Sequence, residues 1–203
     1  MNRLLFIVYI IITIGLIYCN KDQTQKESAE MEFRIDSSLI AQAIFDESLS
    51  VEFCPLLSWT EFDSAMLQTI REQTGKNDEN HLNIVLHRAF FHPRKQGIIT
   101  FSRLDGERDT PWDSILITTA STYKKQYPNA KIEQTRFHHQ NAWIDQIMLI
   151  DTTNVLIKWY IEDSLNIKTH RVQLDIIVPA KEYKNLLDEI ESFLGSVRIK
   201  HKI

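Results

Sequence analysis

Asn154-Val155-Leu156-Ile157-Lys158-Trp159-Tyr160-Ile161-Glu162 decides the fold class. Val155, Ile157, Trp159 and Ile161 fall at every second position, the period at which a strand presents one face. Three further strand-like stretches surround it, near 131–139, 142–151 and 167–178. Thr152-Thr153 and Asp163-Ser164-Leu165-Asn166 supply the later turns. Connections this short fit antiparallel neighbours, because a parallel pair needs a crossover of a dozen or more residues. The stretch therefore reads as an antiparallel meander with an apolar face to be covered.

The cover lies on either side. Tyr183, Leu186, Leu187, Ile190, Phe193 and Leu194 recur at helical spacing, with Gly195 as the expected stop and Ser196-Val197-Arg198-Ile199 as a short extended tail. Thr110-Pro111-Trp112-Asp113 combines a Thr cap, Pro at the first helical position and an acid in the first turn. Trp112, Ile115, Leu116, Ala120, Tyr123 and Tyr127 form that helix's stripe, and Pro128 closes it. His81–His92 and Gly97–Leu104, joined by Pro93-Arg94-Lys95-Gln96, read as a hairpin. Ser58 with Glu61 and Thr60 with Asp63 are overlapping capping signatures. They predict a helix to about Gln73, with Phe62, Met66 and Ile70 on one face and Gly75 after it; Asn77 to Asn80 follows as a polar turn. Leu49 to Cys54 reads as a strand ended by Pro55, and Leu39, Ile40, Ala43 and Ile44 are spaced for a short helix within Asp36–Glu47. The fold class is α+β, an antiparallel β-sheet covered by amphipathic helices.

Val51-Glu52-Phe53-Cys54-Pro55-Leu56-Leu57-Ser58-Trp59 opens this region, and Ile190-Glu191-Ser192-Phe193-Leu194-Gly195-Ser196-Val197-Arg198-Ile199 closes it. These two stretches and the element order between them resemble the PsbP-like α/β/α sandwich superfamily, over about 48–200. The chain differs from that pattern by its amphipathic stretch at 36–47 and by the lack of Gly after Pro55. The resemblance implies a helix–sheet–helix sandwich and carries no shared catalytic residues. It also points to the DcrB-type bacterial lipoproteins of that group as the nearest analogues, because of the leader described next.

Met1-Asn2-Arg3 precede an unbroken apolar run, Leu4 to Tyr18, which stops at Cys19. The run matches the 7–15-residue apolar core of a secretory signal. It falls short of the roughly 20 residues that span a bilayer. Leu16-Ile17-Tyr18-Cys19 resembles a lipobox, although Tyr18 stands where that pattern prefers a small residue. The expected organisation is a lipoprotein-type signal peptide over 1–18, a lipidated Cys19 with a polar tether over 19–34, and one α+β domain over 35–203. An uncleaved signal anchor is the rival reading, and it also places the domain outside the cytoplasm. Without Arg3 the chain carries 22 basic and 27 acidic residues, about −5. No basic patch is present, so nucleic-acid binding lacks its electrostatic footprint. If Cys19 is acylated, Cys54 is the sole free thiol and reads as an inert strand residue.

Chemistry-bearing residues are scattered. His87 and His92 are five apart on a strand and are expected on opposite faces; His138 and His139 alternate across the sheet, and one of them could meet His170. No metal-ligand spacing or nucleophile elbow is present. Asp145, Asp151 and Asp175 are the strand acids that a dispersed hydrolase site would draw on. Trp59, Trp112 and Trp159 read as core. Trp143 and the neighbouring His139 are the candidate contact residues, since a large aromatic beside a polar turn suits a partner surface. The expected function is a non-catalytic, lipid-anchored envelope protein that binds or scaffolds an unidentified protein partner, without a cofactor. The alternatives are a hydrolase or metal-dependent enzyme with a dispersed site, and a small-ligand carrier.

Overall fold

The computed structural model of the chain describes residues 31–74, 83–105, 112–163 and 171–200. The apolar run, Cys19, Gly75, the turn at 77–80, the Thr110-Pro111 cap, the turn after Asp163 and His170 lie outside those residues. In chain order the strands are β1 (Ile44–Asp46), β2 (Val51–Phe53), β3 (Thr60–Glu61), β4 (Asn83–Phe91), β5 (Ile98–Asp105), β6 (Lys131–His139), β7 (Ala142–Ile150), β8 (Asn154–Asp163), β9 (Arg171–Pro179) and β10 (Arg198–Ile199). The helices are α1 (Ser64–Thr74), α2 (Trp112–Gln126) and α3 (Tyr183–Ser196).

Seven strands form one sheet in the order β3-β4-β5-β9-β8-β7-β6. Every pairing in it is antiparallel, and β6 to β9 make the expected meander with continuous registers. The 2-residue period then sorts the side chains. Trp159, Ile157, Phe101, Ile144 and Leu174 share a core with Leu186, Ile190 and Phe193 of α3 and with Val51 and Phe53 of β2. On the opposite face, Ile147, Tyr160 and Leu104 meet Ile115 of α2. Leu86 and Ala89 meet Leu67 of α1 there, with Phe62 and Ile70 beside them. Helices thus cover both faces, and the protein is an α+β helix–sheet–helix sandwich.

A second sheet, β1-β2-β10, sits on the α3 side. It overturns the helix expected within Asp36–Glu47. Ile44 pairs Phe53 and Asp46 pairs Val51. Upstream, Ala41 N–H donates to the Pro55 carbonyl at 2.7 Å and Leu57 N–H to Leu39 at 3.0 Å. The backbone groups a helix would use internally are therefore taken by 51–57. Asp46 secures the β1–β2 turn: its carboxylate accepts from Ser48 N–H (3.0 Å), Leu49 N–H (3.2 Å) and Arg88 Nε (2.6 Å). Burial pushes its pKa up, but the Ser48 and Arg88 hydrogen bonds outweigh that and hold it below the usual value.

Helix α1 begins later than the Ser58 and Thr60 signatures imply. Thr60 and Glu61 pair with Phe91 and Phe90 as an edge strand, and Asp63 caps the helix by accepting from Met66 N–H at 2.8 Å. Consequently Leu67 and Ile70 face the sheet while Met66 is 48% exposed.

Gly195 does not stop α3, which continues through Ser196. A Cβ there would lie 2.7 Å from Ile35 Cγ1 and 2.8 Å from Phe33 Cβ, so the glycine is a close-approach position. Residues 31–34, expected to end the tether, dock at this point: Met31 N–H reaches the His138 carbonyl, and the Phe33 ring lies 5.4 Å from Trp159. Gly195→Ala will lower stability. Overpacking costs ~1–3 kcal/mol, more than the ~1 kcal/mol that helix propensity returns. Thermal melts with limited proteolysis check it: faster cleavage within 31–38 accompanies the lower midpoint, and wild-type behaviour in both assays would show that the contact is loose.

Candidate functional site

The β6–β7 hairpin turns at Gln140-Asn141, with Gln140 in the left-handed region (φ 52°). Its register sets Arg136 opposite Asp145 and His138 opposite Trp143, while Trp143 pairs Glu162 across β8. These side chains share the α2 side of the sheet with Ile147. Arg136 Nη2 donates to Glu162 Oε2 at 3.1 Å, and its Nε lies 3.8 Å from Asp145 Oδ1. The guanidinium carbon sits 5.4 Å from the Trp143 ring centre, and the His138 ring meets Trp143 edge-on at 5.3 Å.

Asp145 is the unusual member. Its side chain is 8% exposed, and Oδ2 has no hydrogen-bond donor among the described residues. Burial pushes its pKa up; Arg136 pulls it down, and Glu162 and Asp113, in the first turn of α2, push it up again. The result is a raised value. A cavity of about 260 Å³ lies elsewhere, but the one over Asp145 is about 230 Å³ and is lined by Leu116, Gln134, Thr135, Arg136, Asp145, Gln146 and Ile147.

Replacing this carboxylate with its amide isostere will raise stability at pH 7. With the folded pKa raised, the acid's favourable contribution is present below the ordinary carboxylate range and is lost as pH rises through the raised value. Melts of wild type and Asp145→Asn from pH 3 to 8 will therefore diverge with increasing pH, the variant being higher. A variant less stable than wild type at pH 7 would mean that the Arg136 attraction dominates.

A second polar group lies deeper on the same face. Lys158 Nζ is 2.7 Å from Asp175 Oδ1, and Gln173 Nε2 donates to Asp175 Oδ2 at 2.5 Å. The Lys158 ammonium sits 5.6 Å from the Tyr160 ring, and the Tyr160 hydroxyl bonds Thr119 of α2 at 3.0 Å. Burial drives the Tyr160 and Tyr123 hydroxyls well above the usual phenol range. Asp175 is thus held by a close ion pair and one amide donor, although its Oδ1, like Asp145 Oδ2, has no aligned hydrogen-bond donor among the described residues. Asp145 is opposite Tyr160 and Asp175 opposite Lys158. Sheet spacing puts the Cα atoms of the two acids about 12 Å apart. Asp151 stands apart in an exposed turn, accepting from Thr153 at 3.0 Å.

The two candidate contact residues separate. Trp143 is half-buried on the α2 side. His139 is 6% exposed on the α3 side, with Phe33 at 5.0 Å and Trp159 at 5.9 Å between ring centres. Burial holds its pKa below the usual value, against the pull of the Val197, Met31 and Leu194 carbonyls. With Met31, Phe33, Ile35 and Gly195 it lines the 260 Å³ cavity. His87 and His92, expected on opposite faces, both reach the α3 side. A bulge between Leu86 and Arg88 resets the alternation, bringing His87 to Ser48 Oγ (2.8 Å) and His92 beside Trp59 (5.6 Å). Trp59 and Trp159 are buried in the core. Cys54 is half-buried, and its backbone N–H donates to Ser196 Oγ at 2.9 Å. Among the described residues no three His, Cys, Asp or Glu side chains converge as metal ligands. No described helix is long and apolar enough to cross a membrane.

Sequence reasoning named Asp145 only as a generic strand acid. It missed Arg136, Glu162 and Asp113 as its surroundings, since cross-strand register alone brings them together.

Fold and site define an α+β sandwich with a pocket lined by one buried carboxylate, Asp145, and one guanidinium, Arg136, which packs against Trp143. No family model matches the chain, and no curated protein matches it. Among solved structures it is similar to the solution structure of cyanobacterial PsbP (CyanoP) from Synechocystis sp. PCC 6803, at 8% identity and a TM-score of 0.49, over 79% of this chain and 93% of that one. The architecture stated above rests on this chain's own strand order and registers.

Proposed function

We propose that the protein is a lipid-anchored, non-catalytic envelope protein whose PsbP-like sandwich domain binds a protein partner close to the membrane. The observation that carries this is the apolar run Leu4 to Tyr18 giving way at Cys19 to a polar stretch, followed by a domain to which Met31 is tied through its N–H bond to the His138 carbonyl. A Cys19 thioether bearing two or three acyl chains anchors stably, each buried CH2 contributing ~0.8 kcal/mol. Between Cys19 and Met31, residues 20–30 reach at most about 40 Å when fully extended. The binding surface therefore works within a domain's breadth of the bilayer. The Val51–Trp59 and Ile190–Ile199 stretches support the PsbP-like reading. The former supplies β2 and Trp59, and the latter the end of α3 and β10, which pairs with β2.

Cys19→Ser tests the anchor. The expected result is loss of the protein from the membrane fraction and loss of label from an alkyne-bearing fatty acid supplied to the cells. Unchanged fractionation and mobility would refute lipidation.

A further inference from the structure

We propose that the cavity over Asp145 takes a cationic side chain, lysine or arginine, presented by a partner protein. The Asp145 carboxylate is nine-tenths buried, lines the cavity, and keeps one oxygen, Oδ2, without a donor among the described residues. A buried acceptor of that kind is costly until a donor arrives. The charges nearby favour a cation. In the lining Asp145 faces one guanidinium, Arg136, whose Nη2 donates to Glu162, and outside the lining Glu162 and Asp113 add two further negative charges acting on Asp145. Size narrows the occupant further. At about 230 Å³ the cavity is smaller than the 300–1,000 Å³ of sites for whole small molecules, so it suits one side chain. Leu116 and Ile147 offer an apolar wall for the methylene stem, which long basic side chains bury readily while the head group seeks its partner. A hard divalent cation would want six or more oxygens, several of them carboxylate, and Asp145 is the one carboxylate in the lining. Trp143, outside the lining, lies two residues before Asp145 along β7 on the same face and packs against Arg136, and an aromatic anchor strengthens a partner contact.

This deepens the reading of the domain as a binding module and does not depend on the anchor. A Cys19→Ser protein that leaves the membrane would still bind a cation here, so the two ideas fail separately.

The test uses the full chain in an uncharged detergent with n-butylammonium as the probe, and n-butanol, butyrate and Mg²⁺ as controls, followed by amide NMR. Saturable shifts confined to residues 116, 134–136 and 145–147, caused by butylammonium and not by the controls, are the expected result. Asp145→Asn should weaken that binding at least tenfold. A second readout needs no variant: bound butylammonium must lower the midpoint of the Asp145 carboxyl titration in the wild-type protein, because a cation favours the ionised form. Equal binding of butanol, stronger binding of Mg²⁺, or an unmoved Asp145 midpoint at saturation would each overturn the proposal.

Discussion

Trp159→Ala lowers the unfolding free energy by ~3–5 kcal/mol, the range for removing a large buried aromatic. Trp159 is fully buried on the α3 face, and three rings lean on it: Phe33 at 5.4 Å, Phe137 at 5.6 Å and His139 at 5.9 Å between centres. Its indole N–H also donates to Gln146 Oε1 at 2.7 Å, so truncation orphans an amide as well as opening a void. Against a typical total of ~5–15 kcal/mol, the loss puts the folded state at risk. It also removes the platform under Phe33, so residues 31–35 will become protease-sensitive before the rest unfolds. Urea melts decide the matter: the midpoint falls with the slope unchanged, as expected when stability alone is altered. Trp159→Phe separates the two parts, since it keeps most of the ring and loses only the Gln146 bond, at ~1–2 kcal/mol. A cost for alanine no larger than that for phenylalanine would show that packing around the indole is minor.

Trp159 was legible because its information is local. Alternation at 155, 157, 159 and 161, with polar turns nearby, is enough to place it on a sheet face, and the same holds for the whole meander and for α3. What misled was long-range pairing. Leu39, Ile40, Ala43 and Ile44 are spaced like a helical stripe. The segment is extended because 51–57 takes its backbone hydrogen bonds, and β10, about 150 residues away in sequence, closes the small sheet. Thr60 looks like a helix cap for a similar reason: nothing near it in sequence announces Phe91 as its strand partner. Gly195 illustrates a third kind of gap. A glycine at a helix end reads as a stop, whereas here it makes room for Phe33 and Ile35. The pocket was the least legible feature. Asp145 gains its character from Arg136, Glu162 and Asp113, on two other strands and a helix, and the β-bulge at His87 shows how one extra residue undoes any parity argument about such sets.

Lys158→Met is expected to be as damaging as the tryptophan truncation, for an electrostatic reason. Lys158 and Asp175 face each other at 2.7 Å with 9% and 16% of their side chains exposed. Taking both charges out of water is expensive, and their attraction offsets the cost only while both are present. Removing the ammonium leaves Asp175 under α2 with Gln173 as its remaining donor, beside the Tyr160 and Tyr123 rings. Breaking a buried pair in this way costs ~3–5 kcal/mol. The decisive variant is the double replacement, Lys158→Met with Asp175→Leu. It removes both charges while keeping similar volume, and such swaps are neutral or stabilising by ~1–4 kcal/mol in other cores. The double variant should therefore recover most of what the single variant loses, a coupling visible in chemical melts at pH 7. The pair then sets which charges the α2 face keeps for itself. Lys158 holds Asp175 in a close ion pair inside the sandwich at 2.7 Å, whereas Asp145 lines the cavity with its nearest cation, Arg136, at 3.8 Å. If the double variant is as unstable as Lys158→Met alone, the cost comes from lost lysine packing, and the division between a closely paired interior acid and a loosely paired pocket acid has to be given up.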